Sequence, residues 1–202
     1  MNRRKKLWSV KLNTASIALI PAAVAINYIG KLFAEALRLP LWLDSIGTIF
    51  AGILGGPVLG ALSGFINNII YGLTISPASA VYGIASLAIG AAAGVLSYYG
   101  MTTKLWKVLI AGVIIALVSS IVSVPLNYVY YQGLTGNVWG DAAFAILKAH
   151  HIPALIASFI DNISVDAPDK IVSAIVAYAV CLALPKRLTI LFNSSQETQS
   201  LD

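Results

Sequence analysis

The chain has 202 residues, of which 58% are hydrophobic and only 10% charged. A soluble domain carries about a quarter of its residues as Asp, Glu, Lys and Arg, so this composition excludes an ordinary water-exposed surface and points to one integral membrane domain. The net charge of +5 does not signal a nucleic-acid partner, because the basic residues stand at the ends of apolar runs rather than on one basic, polar face.

Residues 1–12, with Arg3, Arg4, Lys5 and Lys6, read as a basic cytoplasmic N-terminus. The apolar run that follows continues past Tyr28, longer than a signal-peptide core, and predicts a retained first span over residues 13–30. Residues 31–43 read as an amphipathic loop that lies at the interface or folds back over the protein. Residues 44–73 are apolar but interrupted by Gly55, Gly56 and Pro57, where a continuous helix would lose a hydrogen bond and clash with its preceding turn. Two short spans are expected there, each too short to cross the roughly 30 Å hydrocarbon core without shielding by neighbours.

A turn through Pro77 leads to a fourth span over residues 80–98, a polar segment over 100–107, and a fifth span over 108–127. Residues 128–168 mix tyrosines, glycines, Trp139, His150, His151 and Pro153, which predicts short interfacial or partly inserted helices. A sixth span over 169–184 is stopped by Pro185, Lys186 and Arg187, and residues 188–202 form a polar C-terminal tail. The expected fold is an all-α membrane protein with six transmembrane helices and a membrane domain over 13–187.

Six spans place both termini on one side. With that side cytoplasmic, Arg3, Arg4, Lys5, Lys6, Lys11, Lys104, Lys107, Lys186 and Arg187 lie inside, as the positive-inside rule requires. Glu35, Asp44, Asp141, Asp161, Asp166 and Asp169 then fall outside, an enrichment the rule does not demand.

The chain lacks a GxxxxGK[ST] phosphate loop, HExxH, GxSxG and any paired Cys/His set, so no cofactor, metal or catalytic group is expected, nor ATP hydrolysis by this chain itself. His150 and His151 are adjacent and point about 100° apart on a helix. Cys181 reads as a small buried apolar side chain.

Polar groups gather at the outer ends of the spans: Asp44, Asn67, Asn68, Tyr71, Asn127, Tyr128, Tyr131, Asp161, Asn162, Asp166, Asp169 and Lys170. Ionisable groups at such depth are costly unless they pair or line a wet cavity. The expected ligand-binding set is Trp42, Asp44, Asn68, Tyr82, Asn127, Tyr131, Asp161, Asn162, Asp166 and Asp169. Trp42, Tyr82, Tyr131 and Trp139 offer stacking surfaces for a flat heterocycle, and the amides and carboxylates offer hydrogen bonds. Asp169 and Lys170 also fit a plainer role, the first capping a helix and the second snorkelling outward. A small-residue stripe, Ala18, Ala22 and Ala25, lies on the first span, and glycines recur at four-residue spacing around Gly56 and in the fourth span, where such stripes let helices approach closely in lipid.

The run LPLWLDSIGTIFAGILGGPVLGALSGFINNIIYG over residues 39–72, with APDKIVSAIVAYAV over 167–180, resembles the substrate-binding S components of energy-coupling factor (ECF) vitamin transporters, in particular the riboflavin-type set. The resemblance implies an S-component-like six-helix bundle in the bacterial cell membrane that captures a vitamin or precursor at its outer face. It implies as partners that small-molecule vitamin, membrane lipid, an ECF transmembrane coupling protein and two ATPase subunits, import being driven by tilting of the bundle. It also implies that the stripe at Ala18, Ala22 and Ala25 docks on the coupling protein, with Pro21 a departure from the pattern. Among ligands, the acidic excess disfavours anions such as folate; pyridoxine, a thiamine-related pyrimidine and riboflavin all fit, with pyridoxine preferred.

Two other readings stand beside it. A stand-alone proton-coupled secondary transporter would relay protons through Asp161, Asp166 and Asp169, although the halves show no inverted repeat. A membrane enzyme would use Asp44 and Asp169 as acid and base.

Overall fold

Helix and connecting loop account for all of the residues that the computed structural model describes, namely 7, 8, 14–185 and 192. Seven helices are described in full: α1 (Thr14–Ala36), α2 (Ile46–Thr74), α3 (Ala78–Val81), α4 (Gly83–Tyr98), α5 (Leu105–Tyr131), α6 (Val138–Ala149) and α7 (Ala154–Ala183). Of these, α1, α2 and α5 are long and apolar enough to cross a membrane. The protein is therefore an all-α membrane protein. The basic start, Lys11, Lys186, Arg187 and the tail from residue 188, residue 192 apart, lie outside the described residues.

The expected interruption in α2 falls at Gly56, whose φ of 84° and ψ of −178° leave the helix. That backbone conformation is open to glycine and strained for other residues, and Pro57 starts the second arm with no backbone donor to lose. The two arms fold back on each other: a Cβ on Gly60 would stand 2.7 Å from the Cα of Gly52, and one on Gly64 would stand 2.9 Å from Thr48. Gly90 of α4 packs against the backbone of Gly60 and Ala61, and Gly94 against Pro57. Without apolar burial to drive association in lipid, backbones this close gain dispersion contacts that any side chain would block.

The N-terminus of α2 is capped from outside its own sequence. Ser45 makes no side-chain cap bond. Instead Asn27 of α1 accepts the Gly47 N–H at 2.7 Å and the Thr48 N–H at 3.3 Å, and donates to the Thr48 hydroxyl at 2.8 Å. Two orphan donors of a buried helix end are thereby satisfied.

Boundaries differ from expectation in four places. Helix α1 runs six residues past Gly30, to Ala36, because Lys31 faces inward, donating to Ser79 at 2.7 Å with its ammonium 4.3 Å from the Tyr71 ring centre. The short helix α3 precedes α4, and α5 extends to Tyr131 through Pro125. The largest difference is α7, one helix of 30 residues that begins at Ala154 rather than at Asp169 and passes through Pro168. Its buried face carries Ser158, Asp161, Asn162, Asp166, Asp169, Lys170 and Ser173, while Leu155, Ile156, Phe159, Ile160, Val172 and Val176 face outward. This is the reverse of a soluble amphipathic helix: the polar stripe lowers its hydropathy while sitting inside. Of the region expected to form short interfacial helices, only α6 has that form, with Asn137 accepting the Trp139 N–H at its start and Lys148 in its last turn.

Candidate functional site

The C-terminal ends of α1 and α5, the N-terminal end of α4, the 37–45 and 75–82 connections and the middle of α7 converge at one end of the bundle. They enclose a cavity of about 210 Å³. From α1 come Lys31 and Glu35; from the 37–45 loop, Trp42 and Asp44; from the second arm of α2, Asn68. Ser79, Tyr82, Ser86 and Ile89 form another wall, Ser123 and Asn127 of α5 a third, and Asn162, Asp166 and Lys170 of α7 the fourth, with Thr135 and Gly136 from the α5–α6 connection.

The charges are organised around Lys170, which is 2% exposed. Its ammonium lies 2.5 Å from Asp169, 3.5 Å from Asp44 and 3.9 Å from Asp166. Lys170 therefore does not snorkel outward, and Asp169 does not open a helix. Asp169 is fully buried and its second oxygen accepts the backbone N–H groups of Trp42 and Leu43 at 3.0 and 2.7 Å. It fastens the first loop over the bundle rather than lining the cavity. Burial alone would raise the Asp44 carboxyl, but the charge of Lys170, then that of Lys31, and the hydrogen bond from Lys170 outweigh it and hold the group below the usual carboxylate value.

The neutral groups form short chains. Tyr82 donates to Asn127 Oδ1 at 2.6 Å and stacks on Tyr131 with ring centres 6.0 Å apart and planes 13° apart. Asn68 donates to Ser86 at 2.6 Å, and Ser119 donates to Asp166 at 2.6 Å. Tyr71 donates to Glu35 at 2.6 Å. Two amide atoms on the cavity wall have no partner: Asn127 Nδ2 and Asn162 Oδ1. A buried polar atom left unbonded costs about 1–3 kcal/mol.

Of the ten expected ligand-binding residues, the structure brings Trp42, Asp44, Asn68, Tyr82, Asn127, Asn162 and Asp166 to the cavity. Tyr131 stands behind Tyr82. Asp161 lies to one side, packed against Gly140 of α6 and 3.4 Å from the Thr135 hydroxyl. Trp139 is 61% exposed and offers no wall to the cavity; its indole N–H binds the Arg38 carbonyl at 3.1 Å and so ties α6 to the first loop. Lys31 and Glu35 are wall residues on α1, where the sequence had suggested an amphipathic loop, and neither was among the expected ligand-binding residues. The signal for them was an i, i+4 Lys/Glu pair one turn beyond the first span.

At the opposite half of the bundle Leu19, Ala23, Phe50, Ala93, Val108, Ala174 and Ala177 pack into one apolar cluster. The small-residue stripe is presented outward: Ala18, Ala22 and Ala25 are all exposed on the flank of α1. Compared with protein-family models, curated proteins and solved structures, the chain shows no match.

Proposed function

We propose that this membrane protein is a substrate-binding subunit, of the S-component type used by ECF vitamin importers. The observation that carries the reading is a polar cavity at one end of the bundle, backed at the other by a solid apolar cluster. A channel or a carrier with internal access to both sides needs polar groups along its length; a capture subunit needs them at one end only. In this reading α2 contributes two spans through its hairpin, α1, α4, α5 and α7 the other four, both termini are cytoplasmic, and the cavity faces outward. The exposed stripe at Ala18, Ala22 and Ala25 is the docking face for a transmembrane coupling protein, and two ATPase subunits supply the energy that this chain has no phosphate loop to capture. The cargo is a small water-soluble vitamin or precursor.

The test separates binding from transport. The purified full chain, reconstituted alone, binds a B-group vitamin yet accumulates none in liposomes, with or without a proton gradient; adding the coupling protein, ATPases and ATP starts uptake. Gradient-driven uptake by the chain alone would replace this reading with a secondary transporter.

A further inference from the structure

The cavity wall is not electrically balanced. Two cations, Lys31 and Lys170, face three carboxylates, Glu35, Asp44 and Asp166, and Asp169 stands directly behind Lys170. Both cations are already engaged, Lys170 with three aspartates and Lys31 with Ser79 and the Tyr71 ring. The wall and its backing thus carry four carboxylates to two ammoniums, and a buried carboxylate left over is neutralised either by a proton or by a bound cation. Among the described residues no group of acidic, histidine or cysteine side chains is placed to hold a metal ion, which leaves an organic cation as the ligand that this acidic excess favours.

Size and hydrogen bonding narrow the class further. Pockets for drug-sized ligands span roughly 300–1,000 Å³, and this one, at about 210 Å³, has room for one substituted ring rather than a fused tricycle. Trp42 and Tyr82 supply flat apolar wall. Asn127 and Asn162 line the cavity, each with one amide atom that has no partner, Nδ2 and Oδ1, and side-chain amides can offer a heteroaromatic ligand both a donor and an acceptor. From this geometry we propose that the ligand is a single-ring heteroaromatic cation carrying a protonated amine. The proposal rests on the binding-subunit reading and narrows its substrate class.

A series on one ring varies charge at nearly constant shape: pyridoxamine, pyridoxine and 4-pyridoxic acid, with riboflavin as the oversized probe, each titrated into the purified full chain by calorimetry. The expected order is amine over alcohol over carboxylate, with at least about tenfold between the first and last, the scale of one charge-assisted hydrogen bond, and no binding of riboflavin. Asp166→Asn is expected to reduce the amine-over-alcohol ratio towards one, and Asp44→Asn serves if that variant does not fold; an unchanged ratio in the variant that folds overturns the proposal. Equal affinity across the series, preference for the carboxylate, or binding of riboflavin or another anionic or fused-ring vitamin overturns the cation proposal and leaves the binding-subunit reading standing. Failure of every B-group vitamin to bind overturns both.

Discussion

The two ends of the bundle meet the same low-dielectric surroundings with opposite means. The packed end uses nearly featureless backbone, Gly60 on Gly90 and Gly94 on Pro57, and its stability comes from distance of approach. The cavity end holds three aspartates, a glutamate and two lysines, and its stability comes from pairing, the three aspartates sharing Lys170. The contrast teaches that a membrane protein can afford a polar pocket only where its charges are held, by another charge as at Lys170 or by a hydroxyl or ring as at Lys31 and Glu35, and that the pocket's floor is supplied by helices with almost no side chain between them.

The sharpest way to break this contrast is at its electrostatic centre. Lys170→Met leaves Asp44, Asp166 and Asp169 facing one another without their shared cation, and is expected to cost about 3–5 kcal/mol of stability, read as a large drop in thermal midpoint of the purified protein. Next, Gly90→Ala at the packed end places a methyl against the Gly60 carbonyl and should cost about 1–3 kcal/mol while leaving ligand affinity of the surviving folded fraction unchanged. Asn127→Ala removes a cavity donor and the acceptor for Tyr82; it is expected to weaken ligand binding about tenfold, measured by calorimetry, with a smaller effect on stability. Ala22→Leu, on the exposed flank of α1, should move stability by no more than about 0.5 kcal/mol and leave binding intact while abolishing co-purification with the coupling protein. A loss of vitamin binding in that variant would show that the flank and the pocket are not separate faces.

The smallest effect concerns pH. Because the Asp44 carboxyl is held below its unfolded value of 3.8, its contribution is fully present above that value and is lost only as pH falls through the lower, folded one. The part of the thermal offset between the wild type and Asp44→Asn that comes from the Asp44 charge is therefore expected to disappear only in acid below that value, as read from thermal midpoints across an acid pH series.

Much of this was legible in the residues, but unevenly. The Gly–Gly–Pro run announced the α2 hairpin because only a few backbone conformations suit those residues. The cluster of amides and acids near span ends announced a polar site because such groups are too costly to be placed idly in lipid. Helix α7 was not legible: its inward stripe of Asp, Asn, Ser and Lys at helical spacing resembles a water-facing surface when judged by hydropathy, and only the tertiary arrangement reverses it. For the same reason Asp169 was expected on the cavity wall, since nothing local reveals that it grips peptide groups 126 and 127 residues away, nor that Asn27 caps a helix on its neighbour.

Asp169 holds Trp42 and Leu43 by their main-chain nitrogens, so the clasp is indifferent to which side chains those positions bear. If the cavity takes a cargo as proposed, its preference can thus be retuned at position 42 by simple exchange without unfastening the cover, with one prohibition: proline, which has no hydrogen to lend, is barred from both places. Position 43, at a φ of 51°, is further confined to residues that tolerate a left-handed turn, a restraint that leaves its neighbour the freer of the two to diversify.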